Sequence, residues 1–110
     1  MLETVLVVLT LADPGPPHVS FSMTESAQDC AARAEVVTQI LTGAGYTILA
    51  QGCVETGLRI SPYDHKARAF PYPWRVTLAD SIQIEPSQDC TPDDAEKVVC
   101  AMSSQHVLPE

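Results

Sequence analysis

The sequence predicts an α+β fold: two helices packed on one face of a mostly antiparallel sheet of about four strands, with a ferredoxin-like split βαβ order as the leading topology. Three observations carry this. Strand-like runs and helix starts follow one another along the chain. Residues 26–42 carry a helical apolar stripe. Thr91-Pro92-Asp93-Asp94 has the residue types of a second helix start.

Residues 2–12 are rich in Val, Leu and Thr and read as a central strand, apolar on both faces. Asp13-Pro14-Gly15-Pro16-Pro17 ends it, because consecutive prolines cannot continue a ladder. Residues 18–23 alternate and read as a short strand that can pair back on the first. The first helix spans residues 26–42. Ser22, Thr24 and Ser26 are candidate N-caps, and Ser22 with Glu25 or Ser26 with Asp29 fits the capping box or its acidic variant. Cys30, Ala34, Val37 and Leu41 form one stripe. Gly43 and Gly45 stop the helix. Residues 46–53 form the next strand, and residues 54–61 follow a turn at Glu55-Thr56-Gly57 into either a short strand or a loop. Residues 61–73 hold three prolines and read as a loop. Residues 74–84 return to strand patterning. In the second helix, expected over residues 91–103, Thr91 caps, Pro92 suits the first position, and Asp93 and Asp94 favour the positive end of the dipole. Residues 105–108 are a final short strand or a tail.

An imperfect echo runs through the chain. Thr10-Leu11-Ala12-Asp13 recurs as Thr77-Leu78-Ala79-Asp80, and Gln28-Asp29-Cys30 as Gln88-Asp89-Cys90. It reads either as a duplicated strand–helix unit or as coincidence between two units of similar composition.

The four cysteines, Cys30, Cys53, Cys90 and Cys100, include no CxxC and no neighbouring His, so zinc has little support and no metal is expected. From Gly43 back to Cys30 is about 20 Å of helix, and from Tyr46 to Cys53 about 23 Å of strand. Cys30 and Cys53 therefore come level. A Cys90–Cys100 bond follows by elimination, although a helix over 91–103 would hold the two about 15 Å apart. An even cysteine count in a small chain favours a periplasmic or secreted setting, and a cytoplasmic one if the thiols stay free.

The chain of 110 residues reads as one domain, residues 1–110, with formal charge −8. That charge argues against a nucleic-acid partner. Residues 4–12 are too short for a membrane span. With Glu3 before them and no Lys or Arg, they read as a buried strand in preference to a remnant signal segment. The lack of Asn and the presence of only two Lys point to a GC-rich, bacterial genome.

Charge is unevenly placed. Residues 59–75 carry Arg59, Lys66, Arg68 and Arg75 against Asp64 alone, together with Tyr63, Phe70, Tyr72 and Trp74, four of the six aromatics. A proline-stiffened loop of cations and aromatics on an acidic domain is a recognition surface by composition. The candidate binding residues are Tyr63, His65, Lys66, Arg68, Tyr72, Trp74 and Arg75. The competing reading makes Tyr72 and Trp74 a cap on the core and the arginines partners of nearby acids.

No catalytic residue is singled out. His65 beside Asp64 is poorly placed for an oriented base, and no hydrolase, protease, P-loop or dinucleotide motif occurs. No cofactor is expected. The sequence is therefore read as a non-enzymatic interaction module whose partner is another protein or a second copy of itself. Two alternatives stand beside it: a thiol-based redox protein using Cys90 or Cys100, and a disulfide-stabilised secreted structural domain.

Overall fold

A computed structural model describes residues 2–12, 14–64 and 66–109. Its elements run β1 (Glu3–Thr10), β2 (His18–Thr24), α1 (Ala27–Gly43), β3 (Ile48–Thr56), β4 (Tyr72–Leu78), β5 (Ile82–Pro86) and β6 (Val98–Ser103). The strands form one sheet in the order β3-β1-β2-β6-β4-β5. Every pairing is antiparallel except β2 with β6, where His18 lies beside Met102 in parallel register. The sheet curls until its edges almost meet. At the seam, a Cβ on Gly52 of β3 would stand 2.8 Å from Cδ1 of Ile82 on β5, so a larger residue there would push the tip of the Ile82 side chain aside.

This overturns the expected architecture. Among the described residues there is one helix, not two, and six strands, not four. The order is not split βαβ, and the duplicated strand–helix unit fails because its second half has no helix. Two local causes account for most of the difference. Residues 74–84 are not one strand: Ala79-Asp80-Ser81 reverse the chain, so β4 and β5 form a hairpin with Val76 opposite Ile84. Residues 91–103 are not a helix. The Asp93 Oδ1 does accept from the Ala95 and Glu96 amides at 2.9 and 3.2 Å, as a helix cap would. An Asx turn uses the same bonds. Lys97 then takes φ +58° and sends the chain back, and Asp93 and Val98 exchange both backbone hydrogen bonds. The β-branched Val98-Val99 that follow suit a strand better than a helix.

Lys97 bears a conformational cost in that left-handed position. Lys97→Gly is expected to raise stability by about 0.5–1 kcal/mol, read as a higher denaturant midpoint. A lowered midpoint would contradict the hairpin.

β1 is buried on both faces, which explains its continuous apolar run. Val5, Val7 and Leu9 face the interior of the curled sheet with Val19, Phe21 and Trp74. Leu6 and Val8 face outward, under α1, where Cys30, Ala34, Val37 and Leu41 cover them. The apolar stripe of the sequence is thus the packing face of the helix. Ser26 caps α1: its side chain accepts from the Asp29 amide at 3.0 Å, while the Asp29 carboxylate accepts from the Glu25 amide.

Both disulfides are formed. Cys30–Cys53 ties α1 to β3 with Cα atoms 6.1 Å apart, and Cys90–Cys100 ties the segment after β5 to β6 at 5.7 Å. The second becomes feasible because residues 93–98 form a hairpin instead of a helix.

Candidate functional site

Residues 57–71 leave β3 and reach β4 with no regular structure among those described. The segment is nevertheless pinned at both ends. Ile60 bridges Val107, the Ser61 amide donates to the His106 carbonyl at 2.9 Å, and the Leu108 amide donates to the Arg59 carbonyl at 2.7 Å. At the far end Phe70 stacks on His18, ring centroids 4.0 Å apart. Between the pins Asp64 builds a turn, accepting from the Lys66 amide at its side chain and from the Ala67 amide at its carbonyl. The result is an exposed loop held on a fixed base.

The structure divides the residues singled out from the sequence into two groups. Tyr63, Lys66 and Arg68 are exposed, and Tyr72 is 39% exposed with its ring against His106. Trp74 is 1% exposed. It packs against Phe21 at 4.4 Å and donates its indole N–H to the Gln105 carbonyl, so it belongs to the core. Arg75 is engaged with Glu85 on β5 and with the Ser87 hydroxyl just beyond that strand. His65 lies outside the described residues. Of the candidates, Tyr63, Lys66 and Arg68 are thus the exposed ones, with Tyr72 at their margin and Arg59, also exposed, at the start of the same segment. Among the described residues the Arg75–Glu85 contact is the only ion pair, which leaves those three cations unneutralised.

Gln105, read from the sequence as part of a short strand or tail, organises the base of this surface. Its side chain is 1% exposed. The Oε1 accepts from the Phe21 amide at 2.9 Å, and Nε2 donates to the Phe21 and Ser61 carbonyls at 2.8 Å each. The side-chain amide thus stands in for a missing strand, joining β2 to the segment that opens the loop.

Above Gln105 lies a cleft of about 380 Å³. Phe21, Ile60 and Gln105 form its floor; Tyr63, Met23 and Arg33 stand around it. Met23 and Tyr63 are 42% and 51% exposed. Arg33 comes from α1 and was not expected here, because nothing in its sequence neighbourhood shows which face of the sheet the helix covers. A smaller groove of about 200 Å³ runs past Tyr72, Pro86 and His106.

Nothing among the described residues gathers three or more His, Cys, Asp or Glu side chains where a metal ion could sit. All four cysteines are in disulfides, so a reactive thiol at Cys90 or Cys100 requires prior reduction of its bond. No described helix is long and apolar enough to cross a membrane. The disulfides are compatible with an oxidising compartment.

No protein-family model, curated protein or solved structure matches this chain.

Proposed function

We propose that the protein is a small non-enzymatic interaction domain that binds an acidic protein surface through residues 59–68. The observation that carries this reading is Arg59, Lys66 and Arg68, exposed and in no ion pair among the described residues, grouped with an exposed tyrosine on a pinned loop of a chain with formal charge −8. On such a chain, exposed cations with no ion-pair partner among the described residues are suited to serve another molecule. Tyr supplies contact area at low entropic cost, and Arg supplies directional hydrogen bonds. The two disulfides support an extracytoplasmic setting, periplasmic or secreted, in which a modest core needs covalent reinforcement.

A zero-length carbodiimide coupling tests this in the native fraction that holds the protein. Such a reagent joins an amine only to a carboxylate in direct contact. The expected result is an adduct through Lys66 that is lost in Lys66→Gln, with the fold unchanged by circular dichroism. A Lys66→Gln variant that forms the same adducts as wild type would overturn the reading.

A further inference from the structure

We propose that the cleft between Arg33 and Tyr63 takes the acidic 93–98 hairpin of a second copy of this chain, so that the protein assembles head to tail. The proposal rests on the recognition surface described above and names its partner.

The cleft is built for a carboxylate flanked by apolar atoms. Arg33 is exposed and in no ion pair among the described residues, and it stands over a floor of Phe21 and Ile60. Arg68 and Lys66 lie on the loop that supplies Tyr63 to the cleft wall. The chain itself carries the complement. Residues 79–98 hold six acids against one base, Lys97. Their exposed tip is the hairpin, where Asp94 and Glu96 have no side-chain partner among the described residues, while Asp93 is occupied in holding the turn.

The cleft cannot be filled by its own hairpin. The hairpin enters β6 at Val98, and Gln105 on the cleft floor lies beyond its other end at Ser103. The length of β6 separates them, about 17 Å at the usual rise of a strand. That exceeds the reach of an Asp or Glu side chain, so a hairpin carboxylate in this cleft comes from a second molecule. Because cleft and hairpin are different patches, the contact is heterologous, and association runs on to rings or chains instead of stopping at a symmetric dimer.

Sedimentation with complementary charge reversals tests this. At about 0.5 mM protein and about 20 mM salt, wild type is expected to show a weight-average mass that rises with concentration and falls back in about 500 mM salt. One variant, Arg33→Glu with Arg68→Glu, loses the cleft. Another, Asp94→Lys with Glu96→Lys, loses the hairpin. Each alone is expected to associate at least about tenfold more weakly. Their mixture pairs the unaltered hairpin of one with the unaltered cleft of the other, and the reversed hairpin with the reversed cleft, so association is expected to return in the mixture. Denaturant midpoints near wild type show that both variants fold. A wild type that stays monomeric, or a mixture that does not associate, overturns the proposal. If Lys66 still couples to a different protein, the interaction surface stands and only its homotypic partner falls.

Discussion

Replacing Gln105 with leucine is expected to destabilise the protein by about 3–5 kcal/mol. The volumes are similar, so packing changes little. The loss is polar. The substitution leaves the Phe21 amide and carbonyl and the Ser61 carbonyl without their partners, in a site that is 1% exposed. Each buried group left unpaired costs about 1–3 kcal/mol. Water entering from the cleft can recover part of that for Ser61, whose bond is only part-buried. Gln51→Leu is the matched control. Gln51 makes one part-buried side-chain bond, to the Thr38 hydroxyl, and its Oε1 already lacks a partner. Its loss is expected to cost about 1 kcal/mol or less. Urea denaturation of both variants measures the difference. Equal effects would mean that Gln105 is not the link between β2 and the loop.

Removing the Cys30–Cys53 bond as Cys30→Ala with Cys53→Ala is expected to cost about 3 kcal/mol, the usual scale for a cross-link over this separation of 23 residues. The effect should concentrate in α1. Only Cys30 is fully buried on the helix, while Val36 and Ile40 are 55% and 62% exposed, so the apolar contact that holds α1 to β1 and β3 is small. Helices depend on such packing more than on intrinsic propensity. Amide exchange across α1 should therefore rise well above that of β1, which lies between β2 and β3. Removing Cys90–Cys100 should cost less, because the separation is 10 residues and the Asp93–Val98 bridge already closes that segment. The reverse order of effects would contradict this account of what holds the helix.

How far the sequence reveals the fold depends on whether the signals are local. The two-faced burial of β1 is written in its unbroken Val and Leu run, and the α1 cap in Ser26 and Asp29. The level positions of Cys30 and Cys53 follow from element lengths alone. The second helix was misread because Asp93 makes the same backbone hydrogen bonds whether it caps a helix or an Asx turn, and the deciding event, the left-handed turn at Lys97, has no glycine to announce it. The β4–β5 hairpin was missed for a similar reason: Ala79-Asp80-Ser81 reverse the chain without glycine or proline. The curl of the sheet depends on β2 meeting β6, and the cleft on Gln105 meeting Phe21 and Ser61, 84 and 44 residues away. Contacts at such separations leave no periodicity to read. The candidate site was legible as a charge anomaly, but its composition could not show that Trp74 turns inward or that Arg33 arrives from the helix.

The most direct test of the central claim, that recognition resides in residues 59–68, is site-specific photo-crosslinking in the native setting. A benzophenone side chain is placed in turn at Tyr63 and Arg68 on the loop, at Val36 and Ile40 on the exposed apolar flank of α1, and at Gln83 on β5. The account predicts covalent adducts from the two loop positions and none from Gln83 or the helix. Adducts confined to Val36 and Ile40 would contradict it and move the binding surface to the helix.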